Sequence, residues 1–157
     1  MEADIPLGKV FSELAKAYAG TFTERLAHLP ISRYYYALVV IEAKGGELNQ
    51  TELADEIYTD KATVVRMLDY LETEGCIIRQ PNPADRRAHR LELTPKALAM
   101  IPSIKEALQE TNAECLAVAR QFGIEELPAA LAAMHSQLAS EKHTPFQIHF
   151  IRREENN

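Results

Sequence analysis

Apolar residues recur along the first thirty positions at Leu7, Phe11, Leu14, Tyr18, Phe22 and Leu26, spaced by three or four, which predicts an amphipathic helix that Pro30 ends. A second helix is predicted from about Ser32 to Lys44. Its middle, Tyr34 to Ile41, is apolar or amphipathic on nearly every side, the pattern of a helix placed centrally, and Gly45-Gly46 supplies its stop. Asn49 three residues before Glu52, flanked by Leu48 and Leu53, is a capping box with a hydrophobic staple. It opens a two-turn helix, Gln50 to about Ile57. A fourth helix opens near Asp60 and runs to Gly75 with Val64, Leu68 and Leu71 as its buried stripe. A helix of two turns is unstable alone in water, so the third and fourth must pack on each other as a helix-turn-helix.

The period then changes to two. Cys76 to Arg79 reads as a strand, Pro81-Asn82-Pro83 as a loop, and Ala88 to Leu93 as a returning strand with His89, Leu91 and Leu93 on one face. Thr94-Pro95 is a helix start, followed by a long helix to about Gln121 in which Pro102 is expected to introduce a bend. Gly123 separates it from a last helix, about Glu125 to Lys142, carrying Leu127, Leu131, Met134 and Leu138. The tail from Pro145 to Phe150 alternates apolar and polar positions as an extended arm would. The fold class expected is mainly α with a small β-hairpin wing, an α+β winged helix-turn-helix flanked by N- and C-terminal helices. It is read as one domain over 1–157, with the winged helix-turn-helix at 31–93 and the flanking helical regions at 5–28 and 94–157.

Composition changes this picture in one respect. The chain of 157 residues is 46% hydrophobic, enough for a core without disulfide staples, and its net charge of −6 argues by itself against a polyanion partner. The distribution argues the opposite. From Cys76 to Lys96 five basic residues face two acidic ones, a local +3 that leaves −9 for the rest. Because screening limits attraction to about 8–10 Å, a basic projection can bind phosphate while an acidic body discourages indiscriminate adhesion. Cys76 and Cys115 lie far apart, outside any Cys-x-x-Cys spacing, and fit a reducing cytoplasm. The acidic start and the lack of any long apolar run give no targeting signal and no membrane span.

If Val64, Leu68 and Leu71 face inward, Thr63, Arg66 and Tyr70 share the opposite side of the fourth helix. Arg66 would reach a guanine edge or a phosphate, Thr63 a base or backbone oxygen, and Tyr70 a phosphate, with Lys61 clamping the backbone at the first turn. Arg86 and Arg87, on a stiff proline-rich projection, suit a minor groove, with Asp85 orienting an arginine through a paired hydrogen bond. Arg79 and Arg90, near the hairpin base, are phosphate candidates. The plain alternative is a solvated helix face, since Asp69, Glu72 and Glu74 make the outer end of that helix acidic.

In these motifs the sequence resembles the MarR family of multiple-antibiotic-resistance-type regulators. The resemblance rests on Asn49-Gln50-Thr51-Glu52-Leu53-Ala54, on the run from Thr63 to Gly75, and on Asp85-Arg86-Arg87 followed by Leu91-Glu92-Leu93-Thr94. It implies that 31–93 is the DNA-binding module, and that the N- and C-terminal helices, in 5–28 and 94–157, are dimerisation helices joining a homodimer through the first and the last two helices, bound to a pseudopalindromic duplex operator. One helix per subunit would enter the major groove and one wing the minor groove, with repression relieved by a small ligand. By the same pattern Asp85 and Arg87 are the structural aspartate and minor-groove arginine of the wing, and Thr63 and Arg66 fall at recognition-helix positions. Ala97 departs from the glycine common after the Leu-Thr signature, without cost in a helix, and the extension beyond Lys142 is a second departure.

Phe11, Tyr18, Tyr34, Tyr35 and Tyr36 come from the first two helices and would line an aromatic cleft for a small aromatic or phenolic acid. Arg33 or His28 would pair with its carboxylate. Ordinary core packing accounts for the same residues. No cofactor is expected. The five histidines show no paired metal-ligand spacing, and no catalytic serine, histidine and carboxylate grouping or phosphate loop suggests an enzyme. Two alternatives remain at this level: a winged-helix protein-interaction module without DNA binding, and a redox-responsive regulator using Cys76 or Cys115.

Overall fold

The computed structural model describes residues 6–45, 47–81 and 89–139. Its element order is α1 (Leu7–Arg25), α2 (Tyr35–Ala43), α3 (Gln50–Glu56), α4 (Lys61–Thr73), β1 (Ile77–Pro81), β2 (His89–Leu93), α5 (Pro95–Gln121) and α6 (Leu127–Ala139). This is the winged helix-turn-helix architecture, with the two strands forming one antiparallel hairpin. The chain divides into two compact units, 1–114 and 115–157.

In the first unit the core is built where the helical stripes meet. Leu26, Leu38, Ile41, Leu53, Val64, Leu68, Leu71, Leu91 and Ile104 are almost fully buried. The stripe of α1 serves two environments. Phe22 and Leu26 join the core, while Leu7, Phe11 and Leu14 remain exposed at 64%, 44% and 55%. On the other flank Arg25 pairs with Glu110 and Glu114 of α5, and Lys105 of α5 holds Glu42 of α2 with both contacts near 3.0 Å.

Helix α2 begins at Tyr35, three residues later than its periodicity suggests, because Tyr34 adopts a left-handed conformation (φ 65°) that no helix can include. Its stop at Gly45 (φ 62°) follows the glycine rule. The capping box of α3 is complete. The Asn49 side chain accepts from the Thr51 and Glu52 amides (2.8 and 3.0 Å), and the Glu52 carboxylate accepts from the Asn49 amide (2.8 Å). Pro81, expected in the loop, is instead the last residue of β1 and stands opposite His89 at the strand's end, where its missing donor matters least.

The hairpin is closed at its base. The Leu91 amide donates to the Leu48 carbonyl (3.0 Å), tying β2 to the segment before α3. The Thr94 hydroxyl donates to the Gly75 carbonyl (2.7 Å) and caps α5 by accepting from the Ala97 amide (3.3 Å). Helix α5 is continuous through Pro102. In the second unit α6 starts at Leu127 rather than Glu125 and buries none of its residues. Leu131, Met134 and Leu138 are 42%, 53% and 64% exposed. Residues 140–142 and the predicted C-terminal arm lie outside the described residues.

Candidate nucleic-acid interface

Helix α4 is pinned from below and ordered from above. Val64, Leu68 and Leu71 have no more than traces of exposure, so the expected inward stripe is the observed one. The opposite face opens with Asp60, which caps the helix by accepting from the Thr63 amide (2.9 Å). Its second oxygen accepts from the Thr63 hydroxyl (2.7 Å), and the hydroxyl oxygen in turn accepts from the Arg66 guanidinium (2.9 Å). These bonds, led by that of the Thr63 side chain, hold the Asp60 carboxyl below the usual carboxylate range. The result is an ordered row, Asp60–Thr63–Arg66, on the outer face, with Lys61 exposed beside it. An arginine already fixed by one hydrogen bond loses less freedom when its remaining donors meet an acceptor.

Tyr70, expected to continue this row toward a phosphate, is engaged elsewhere. Its hydroxyl accepts from the Ser32 amide (3.1 Å) and lies 3.3 Å from the Ser32 hydroxyl. Its ring meets Tyr34 edge-on at 5.6 Å, and the Arg33 guanidinium sits 4.3 Å over it. The chain before α2 is thus tied to α4, which the sequence did not reveal because Ser32 and Tyr70 are 38 residues apart. These contacts accompany the left-handed Tyr34. A second left-handed tyrosine, Tyr58 (φ 52°), occupies the turn between α3 and α4, where glycine would be unstrained, and the residue is 84% exposed.

The hairpin arginines divide. Arg90 faces Glu47 at 3.4 Å. The strand register puts Arg79 on the same face as buried Ile77, and its guanidinium reaches Asp69 (2.5 Å) and Glu72 (3.7 Å) on α4 rather than an open surface. That pairing also answers the objection that the outer end of α4 is acidic, since two of its carboxylates are matched by an arginine. Asp85, Arg86 and Arg87 lie outside the described residues.

The aromatic set expected to line one ligand cleft is dispersed. Phe11 and Tyr36 are exposed, His28 is exposed, and Tyr18 donates to Asn112 (2.7 Å). Arg33 stacks on Tyr34 and Tyr70. Tyr35 is buried, and its hydroxyl donates to the Ile31 carbonyl (2.6 Å). Of these residues, Tyr35 is joined by Tyr70, Ile31, Pro30, Glu24 and Glu74 around an open cleft of about 590 Å³. Among the described residues no basic one lines that cleft; neither Arg33 nor His28, the expected carboxylate partners, is part of it, and Glu24 and Glu74 are.

Cys76 is fully buried at the start of the hairpin, and burial pushes its thiol up, against the thiolate that redox sensing requires. Cys115 is free and half-buried. Among the described residues no helix is long and apolar enough to cross a membrane.

A helix with an ordered polar face, packed on a short capped helix and followed by a hairpin of basic sequence, defines the winged helix-turn-helix class. Comparison with known proteins agrees. Residues 35–89 match the MarR family model. The chain is similar to a MarR transcriptional regulator from Methanosarcina mazei Go1 (25% identity, 85% of this chain and 96% of that one, TM-score 0.73). It is also similar to the transcriptional repressor CouR, solved bound to a 23-mer DNA duplex (27% identity, 85% and 92%, TM-score 0.67). A Staphylococcus aureus MepR–DNA complex shares the fold (19% identity, 86% and 99%, TM-score 0.76). Over its winged helix-turn-helix segment the chain is thus similar to MarR-family regulators. The matched proteins are transcription regulators rather than enzymes.

Proposed function

We propose that this chain is a sequence-specific regulator of transcription that binds duplex DNA as a homodimer in the cytoplasm, with α4 in the major groove and the hairpin in the minor groove. The observation that carries the reading is the Asp60–Thr63–Arg66 row, pre-ordered on the side of α4 away from its buried stripe, with Asp60 and Arg66 exposed and Thr63 half-buried. Support comes from the DNA-bound state of CouR, a relative at 27% identity. Two copies are called for because one helix and one wing make too few contacts for a long site, whereas twofold-related copies meet half-sites about 34 Å apart. The exposed apolar residues of α1 (Leu7, Phe11, Leu14) and of α6 supply surface for such pairing.

Selection of duplexes from a random pool, followed by mobility shifts, tests the reading. Wild type should enrich a pseudopalindrome. Arg66→Ala should cost about 1–3 kcal/mol and relax the choice at one base of each half-site, while Arg87→Ala should lower affinity for all sequences and flatten the salt dependence. No enrichment, or wild-type binding by both variants, would refute it.

The finer form of the reading is a repressor released by a small aromatic ligand. The cleft beside Tyr35 favours it by adjoining Tyr70, whose hydroxyl ties α4 to Ser32. With Glu24 and Glu74 at its rim, neutral phenols should loosen the operator complex more than benzoates of the same size. Equal indifference to both would rule this site out.

A further inference from the structure

Of the two hairpin arginines in the described structure, Arg79 and Arg90, Arg79 is the one that shares a face with buried Ile77. Strand alternation leaves Ile78 outside, 44% exposed, and turns Arg79 to the inner face with Ile77, where its side chain keeps 24% of its exposure. There the guanidinium spans one turn of α4. One terminal nitrogen bonds Asp69 at 2.5 Å, and the Nε, shut off from solvent without a hydrogen bond, stands opposite the Glu72 carboxylate at 3.7 Å. An apolar residue at this position would pack. An arginine instead fixes the direction of the strand, because a planar fork facing two carboxylates on a rigid helix tolerates little rotation.

Resting on the DNA-binding reading above, we infer that Arg79 is a positioning residue that braces the wing against the recognition helix through Asp69 and Glu72, and touches no phosphate itself. The inference also explains two acidic residues on a helix offered to a polyanion: they anchor the brace. In sequence the chain runs from β1 into the segment holding Arg86 and Arg87, so a brace at the base of β1 acts on the strand that leads to them. Loss of a contact made by a distant part of the wing then follows from a change that removes no positive charge.

The sign of one measurement separates this from simple electrostatics. Mobility shifts at fixed salt on the selected duplex compare wild type, Asp69→Asn and Arg79→Lys, each first shown by circular dichroism to be fully folded at the assay temperature. Removing a carboxylate from a DNA-facing helix should tighten binding if charge alone matters. The brace requires the reverse, a loss of about three- to tenfold for Asp69→Asn. Arg79→Lys keeps the charge and loses the fork, so it should weaken binding similarly, whereas a phosphate contact would survive it nearly intact. Tighter or unchanged binding by Asp69→Asn, or wild-type affinity in Arg79→Lys, overturns the brace. Failure of the wild type to bind any duplex would refute the DNA-binding reading and the brace together.

Discussion

Helices α4 and α6 are both 13 residues long, and they use their apolar residues in opposite ways. Helix α4 is the more polar in sequence, yet it buries Val64, Met67, Leu68 and Leu71, because α3 and the hairpin cover one face completely. Helix α6, LPAALAAMHSQLA, is nearly all apolar and buries nothing. Apolar content therefore does not tell which helix is held; the available partner surface does. A face like that of α6 is costly to leave in water, and the second copy proposed above is the natural cover for it.

The same substitution in the two helices should break the comparison most sharply. Leu68→Ala opens a cavity in a closed core and should cost about 3 kcal/mol in urea unfolding at any protein concentration. The paired change Leu131→Asp and Leu138→Asp should leave the fold of the first unit intact by circular dichroism. It should shift sedimentation from dimer to monomer at micromolar concentration, a loss of about 2 kcal/mol or more of association free energy. A dimer unchanged by both would move the interface elsewhere. Asn49→Ala, which removes the cap of α3 beneath α4, should cost about 1 kcal/mol, again read from urea unfolding.

The smallest effect concerns the cap of α4 itself. Asp60 has a folded pKa below its unfolded one, so its contribution is complete above the unfolded carboxylate value and is lost as pH falls through the lower folded value. The Thr63 amide resonance should therefore be constant from pH 5 to 8, about a unit or more above the carboxylate range, and titrate only in acid. Asp60→Asn should abolish that titration. A Thr63 shift that moves near neutral pH would assign the cap to another group.

Much of the fold was legible because its signals are local. Asn49 and Glu52 are three residues apart, and so are Asp60 and Thr63; the geometry of one helical turn brings such pairs together whatever surrounds them. The inward stripe of α4 follows from periodicity in the same way. Periodicity was less reliable where backbone conformation intervened: Tyr34 reads as helical by pattern, but its left-handed angle, accompanied by its packing on Tyr70, delays the start of α2.

The candidate site was half legible for a related reason. Helical spacing placed Thr63, Arg66 and Tyr70 on one face, but it could not show that Ser32 would engage the Tyr70 hydroxyl, and Arg79 was assigned to a phosphate on its charge and its place near the hairpin base alone. Strand alternation from Ile77 to Arg79 held the clue to the second, since two residues beyond a buried isoleucine is an inward position.

By itself the sequence determined the helical periods, the caps, the turn from period 3.6 to period 2 and the basic excess of the hairpin, all set by interactions within a few residues. Only the tertiary structure decided that Arg79 answers Asp69 and Glu72, that Tyr70 answers Ser32, and that the aromatic residues of α1 and α2 do not share one cleft. The reason is that a long polar side chain takes whichever partner the packing of distant segments brings within about 3 Å, and composition does not encode that distance.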